Sequence, residues 1–105
     1  MPIDTTMNTN IYTNKVSVII CAYTEDRWYD IIDAIASLHQ QTFTPHEIIL
    51  VIDHNQPMLQ RALAEIPSVI AIPNTERKGL SGARNSGLAR AQGDLIAFLD
   101  DDATA

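Results

Sequence analysis

The chain is predicted to fold as an α/β domain on a parallel sheet with helices on both faces. Three observations predict this. Four apolar runs, "KVSVIICAY" (15–23), "EIILVID" (47–53), "SVIAI" (68–72) and "DLIAFLD" (94–100), are continuous rather than alternating, as in strands buried on both sides. Helical patterns separate the first two runs, the second from the third, and the third from the fourth. At 105 residues, 46% hydrophobic and 19% charged, the chain has the composition of one small globular domain rather than a disordered segment.

Residues 1–14 are polar, without the basic-then-apolar pattern of a signal peptide, and are expected to be a flexible lead-in. The first strand follows. Thr24 is placed to cap the next helix, with Glu25 and Asp26 in its first turn, where the helix dipole favours acids. Trp28, Ile31, Ile32, Ile35 and Leu38 recur at helical spacing, giving an amphipathic helix over 25–40. "QTFTPH" is a linker to the second strand. Pro57 suits a first helical position, and Met58, Leu59, Ala62, Leu63 and Ile66 form a short apolar face that Pro67 ends. The third strand comes next, then a loop, "PNTERKG". Residues 80–92 read as a helix despite Gly82 and Gly87, because Ala83, Gly87 and Ala91 make a stripe of small residues that lets it lie close on a sheet. Gly93 is placed as its terminator. Right-handed crossovers make the whole a Rossmann-like half with strand order 3-2-1-4.

Charge and cysteine content narrow the function. The net charge of −6 argues against nucleic acid or an anionic membrane as the main partner. The single cysteine, Cys21, cannot form an intrachain disulfide and fits a reducing, cytoplasmic compartment; it is expected to pack as a small hydrophobe. No apolar run approaches the ~20 residues of a membrane helix. His39, His46 and His54 lack zinc spacing.

Ligands of open parallel sheets sit beyond the carboxyl ends of the strands. There the sequence puts Ala22-Tyr23-Thr24-Glu25, Asp53-His54-Asn55 and Asp100-Asp101-Asp102. The first turn has no Gly-x-Gly-x-x-Gly and there is no P-loop, so a diphosphate would need a cation between itself and this acidic rim. Hard carboxylate oxygens without a soft ligand suit Mg²⁺ or Mn²⁺. Asp53 is expected to be free to accept from a base or ribose, or else to cap the following helix. Arg84 reads equally as a surface ion pair or a ligand contact, and Glu25 as a nucleoside contact or a helix-terminus acid. Tyr23 is expected to meet a ligand through its backbone.

The pieces "VSVIICAYTEDR", "EIILVIDHN", "NTERKGLSGARNSGLARAQGD" and "IAFLDDDA" together resemble the N-terminal nucleotide-binding half of family 2 glycosyltransferases of the GT-A fold. The resemblance implies an inverting transferase that binds a nucleotide-diphosphate sugar through Mn²⁺ or Mg²⁺. It makes Asp100-Asp101-Asp102 the Asp-x-Asp motif, with Asp102 the main metal ligand, Asp100 supporting it and Asp101 near the ribose. Asp53 matches the acidic base contact; Ala22, Tyr23 and Glu25 match the nucleoside-contacting turn; Gly79 and Arg84 match the segment flanking the nucleotide. The family's acceptor half, with its general base, would lie beyond Ala105. Residues 15–105 therefore read as a donor-binding half truncated after the motif, inactive alone. "IDHN" departs from the two acids and glycine common in the family.

Two other readings compete. "FLDDDAT" fits the Asp-x-Asp-x-Thr of aspartate-nucleophile phosphatases, though that motif belongs on a first strand. A non-catalytic nucleotide- or metal-binding module is the other. A calcium loop fits less well, since a strand precedes the aspartates and Ala105 stands where the loop needs glycine. The fourth strand, at an edge in this order and without lysine or proline, is expected to drive homo-oligomerisation.

Overall fold

The structure, a computed structural model, describes residues 15–42 and 44–102. The expected lead-in, Phe43 of the linker and residues 103–105 lie outside the described residues. Strands β1 (Val16–Ala22), β2 (Glu47–Ile52), β3 (Ile70–Pro73) and β4 (Leu95–Leu99) form one sheet in the order β3-β2-β1-β4. Every pairing is parallel, with Ile19 opposite both Ile49 and Phe98. Both the class and the strand order agree with the sequence reading.

Period-2 alternation in β1 sends neighbouring residues to opposite faces. Val18, Ile20 and Ala22 pack with helices α1 (Trp28–His39) and α2 (Gln56–Glu65); Ile19, with Ile49 and Val51, packs with α3 (Leu80–Arg90). The α3 stripe explains how one helix covers that face. A Cβ on Gly87 would come within 2.6 Å of Ile19 Cγ2, so only glycine allows this approach.

Several boundaries differ from the sequence reading. The helix expected from residue 25 begins as a separate 3₁₀ turn, Glu25–Arg27, and Thr24 caps that turn by accepting from the Asp26 N–H at 3.2 Å. Asn55 caps α2 by accepting from the Met58 N–H, so the helix starts before Pro57. Leu63 is exposed, because Met58, Leu59, Ala62 and Ile66 already fill the face toward the sheet. Strand β3 starts two residues late and runs onto Pro73, which an edge strand tolerates. Gly93 does not end α3. The helix stops at Arg90 with Ala91 extended, and Gly93 is needed because a Cβ there would meet Lys15 O and Ser17 Oγ, each at 2.6 Å.

That last contact belongs to a polar lock at the amino end of the sheet. The Glu47 carboxylate accepts from Ser17 Oγ at 2.7 Å and from the Gln92 N–H at 2.6 Å, with Arg90 at 3.7 Å; Gly93 N–H donates to Ser17 Oγ. Burial pushes the Glu47 carboxyl up, but the hydrogen bonds from Ser17 and Gln92, with Arg90 and His46, outweigh it and leave the pKa lowered. A lowered folded-state pKa gives stability that is full above the unfolded value of about 4.3 and is lost as pH falls through the folded value. Glu47→Gln should therefore destabilise the chain by about 1–3 kcal/mol at pH 7. In urea titrations, the gap from wild type should close as pH drops below about 4.

Candidate functional site

The carboxyl ends of β1, β2 and β4 open onto a cleft of about 460 Å³ on the α3 side of the sheet. Backbone hydrogen bonds align its floor: Asp53 N–H donates to Ala22 O at 2.7 Å and Asn74 N–H to Ile52 O at 2.9 Å. It is lined by Lys78, Gly79, Leu80, Ala83 and Arg84, from the loop before α3 and its first turns, and by Phe98, Leu99, Asp100, Asp101 and Asp102, from β4 and the residues after it. Cationic side chains and a run of three carboxylates thus line the same cleft.

Eight of the nine residues expected from sequence line this cleft: Ala22, Tyr23, Asp53, Gly79, Arg84, Asp100, Asp101 and Asp102. Glu25 does not. Its carboxylate is held at 3.2 Å by Arg61, whose guanidinium also pairs with Glu65 and stacks 4.0 Å over the Trp28 ring. The residue meant as a nucleoside contact instead ties the 3₁₀ turn to α2.

Asp53 is not free. It is 8% exposed; its Oδ1 accepts from Asn74 Nδ2 at 2.8 Å and its Oδ2 from the Gly79 N–H at 2.9 Å. Nor does it cap α2, a role Asn55 fills. Asn74 is the hub the sequence reading missed. Besides Asp53 it donates to Arg77 O, and its Oδ1 accepts from the Glu76 N–H and from Ser86 Oγ, both at 2.8 Å. Every polar atom of this buried amide side chain has a partner, which is how a loop survives against the sheet. An asparagine directly after a strand was the available signal. Gly79 answers with φ +127°, a conformation that L side chains rarely adopt, and this aims its N–H at Asp53. His54 is also left-handed, at φ +51°, with its ring Nε2 3.0 Å from Glu76 O.

Arg84 sits 5.0 Å over the Phe98 ring, a cation–π contact that turns it along the cleft wall. Burial pushes the Cys21 thiol up; Arg84 opposes this, while Asp53 and Asp101 add to it. Cys21 therefore lines the cleft as a neutral thiol, not as a nucleophile. Partial burial also raises Asp101, against the pull of Arg27, with Asp102, Asp100 and Asp30 adding like charge. Asp102 is paired with Arg27 at 3.0 Å.

Among the described residues, no three His, Cys, Asp or Glu side chains converge into a metal cage. Asp100 and Asp102 are nevertheless exposed hard carboxylates beside an open cleft. That donor set suits a cation taking one or two carboxylates and completing its shell with phosphate oxygens and water.

The fold is an α/β unit of the GT-A glycosyltransferase type, a four-stranded parallel sheet with helices. Residues 17–105 match Glycosyl transferase family 2, and the chain belongs to that family. It is 35% identical over 94 residues to the glucosyl-dolichyl phosphate glucuronosyltransferase of Haloferax volcanii, covering 87% of this chain and 30% of that protein. It is 37% identical over 91 residues to the glycosyltransferase YwdF of Bacillus subtilis, covering 84% and 32%. Among solved structures it superposes on the Pyrobaculum calidifontis mannosyltransferase PcManGT, in complex with GDP-Man and Mn²⁺, with a TM-score of 0.67 and 24% identity over 87% of this chain and 28% of that one. S. aureus TarS 1–349 gives a TM-score of 0.65 and 25% identity over 86% and 28%. The chain thus spans about 30% of the length of the curated relatives it matches. The family match separates it from the aspartate-nucleophile phosphatases.

Replacing Asp53 by Asn sets an amide N–H₂ against the N–H of either Gly79 or Asn74. Asp53→Asn should cost about 1–3 kcal/mol in urea unfolding and speed hydrogen exchange at the Gly79 amide. An unchanged Gly79 rate would show that α3 is positioned without this carboxylate.

Proposed function

We propose that residues 15–105 are the donor-binding half of an inverting sugar transferase, holding a nucleotide-diphosphate sugar through Mn²⁺ or Mg²⁺ for transfer to an acceptor. The observation that carries this reading is that one cleft is lined by charge of both signs, Lys78 and Arg84 together with Asp100, Asp101 and Asp102. A metal–diphosphate complex has the matching polarity, cation on one side and phosphate oxygens on the other. Asp102 and Asp100 would hold the cation and Asp101 would lie near the ribose. Ala22, Tyr23, Asp53, Gly79 and Arg84 would surround the nucleoside and diphosphate. Asp53 can do so while serving Asn74 and Gly79, because each carboxylate oxygen has a second lone pair. The cation, when bound, would offset the charge that develops on the leaving nucleotide. PcManGT, which shares the fold, is a protein that binds GDP-Man and Mn²⁺.

Transfer itself is proposed for the whole protein, in which this unit would supply the donor site. No helix among the described residues is long and apolar enough to cross a membrane. Calorimetry with Mn²⁺ and UDP or GDP should show nucleotide binding that depends on the metal. Asp102→Asn should reduce the metal-dependent part at least about tenfold, the scale of one lost charge-assisted contact. Equal metal-dependent binding in wild type and variant would overturn the assignment.

The chain is further proposed to self-associate through β4. Among the described residues this strand pairs with β1 alone, and Leu95, Ile96 and Phe98 are 50%, 38% and 44% exposed. An apolar edge with unpaired backbone groups and no lysine or proline recruits another strand, and a two-fold axis would pair two copies antiparallel. Light scattering at high concentration should give a dimer mass for wild type and a monomer for Ile96→Lys.

A further inference from the structure

The Asp100–Asp102 run already has a cation beside it, and that cation is part of the chain. Arg27 closes the 3₁₀ turn that follows β1, while Asp102 lies just beyond β4. Because β1 and β4 are neighbours in the sheet, the two segments meet at one rim. Arg27 Nη1 donates to Asp102 Oδ2 at 3.0 Å, a contact spanning 75 residues of chain. Among the described residues this is the one ion pair made to the three aspartates. Arg84, the guanidinium that lines the cleft, is turned onto Phe98.

We infer that Arg27 is the resident counter-cation of the aspartate run, holding Asp102 at the rim until a divalent cation displaces it. The inference rests on the metal reading of Asp102 and adds a residue to it. Two features make Arg27 displaceable. The contact is a single hydrogen bond rather than a bidentate fork, and both side chains are about half exposed, at 44% and 53%. Such a pair is weak in water. A cation seated on Asp102 would compete for the same oxygen and would sit a few ångströms from a positive charge, so Arg27 must swing away. Arg27 is thus a positioning residue that raises the metal concentration needed to fill the rim, and it keeps three adjacent carboxylates tolerable without metal.

Mn²⁺ alone is the probe, followed by loss of the free-ion electron paramagnetic resonance signal at low salt. Arg27→Gln should bind Mn²⁺ about three- to tenfold more tightly than wild type, the range for removing one exposed charge near a dication. Arg27→Lys, which keeps the charge but not the fork, should fall between them. The gap between wild type and Arg27→Gln should shrink by half or more when NaCl is raised to about 0.3 M. Lys15→Gln, with the same change in net charge at the opposite end of β1, should leave Mn²⁺ affinity unchanged. Equal or weaker binding by Arg27→Gln overturns the inference, as does equal tightening by Lys15→Gln. In either case weakened binding by Asp102→Asn leaves the metal reading standing. No Mn²⁺ binding by wild type or Arg27→Gln up to millimolar concentration overturns both.

Discussion

The cleft depends on one buried carboxylate. Asp53 directly follows β2, and its two oxygens reach Asn74, just beyond β3, and Gly79, the N-cap of α3. Three segments distant in sequence are pinned by one side chain. Asn74 extends the grip through Ser86 into the second turn of α3 and through Arg77 O and Glu76 N–H into the loop. Buried polar groups stabilise a fold only when all are satisfied, and among the described residues no buried side-chain polar atom lacks a partner. A mirror arrangement at the other end of the sheet, Glu47 with Ser17 and Gln92, fixes where α3 leaves. The helix that lines the cleft is therefore held at both ends by carboxylates and in the middle by the contact of Gly87 with Ile19.

The fold was legible in the sequence because parallel strands covered on both faces leave a strong trace. "VIICA" and "IILVI" have no polar interruption, and only burial on both sides favours that. The order 3-2-1-4 followed from chain handedness rather than from any one residue. The rim was legible for the same reason, since strand ends in such a sheet must converge. What the sequence did not disclose were choices among partners. Glu25 sits in a turn where a nucleoside contact and an ion pair are both reasonable, and Arg61 decides it from thirty-six residues away. Asn74 looked like one polar residue in a polar loop. Its role is set by Asp53 and Ser86, which local pattern does not reveal.

The glycines show the same division. Gly87 fell on a repeat of small residues, so its packing role was visible as a period. Gly93 stood where helix terminators stand, yet it serves a long-range approach to Lys15 and Ser17. A glycine kept for local conformation and a glycine kept for contact read alike in one sequence. Only the residues across from them tell the two apart.

Electrostatics links these structural ties to the chemistry of the cleft. Three consecutive carboxylates on a domain of net charge −6 would repel one another and any diphosphate. The chain meets this with cations from two directions. Arg27 comes from the turn after β1 and engages Asp102 directly, while Lys78 and Arg84 line the cleft without an ion pair to the run among the described residues. Separated charge of this kind would cost stability if it were fully buried, but here it lines an open, wet cleft. Charge of both signs in one cleft discriminates more sharply than either sign alone. On the donor-binding reading proposed above, a bare anion would be repelled by the aspartates and a bare cation by Arg27, while a ligand carrying both signs, such as a metal-bound diphosphate, would satisfy both sets of charge.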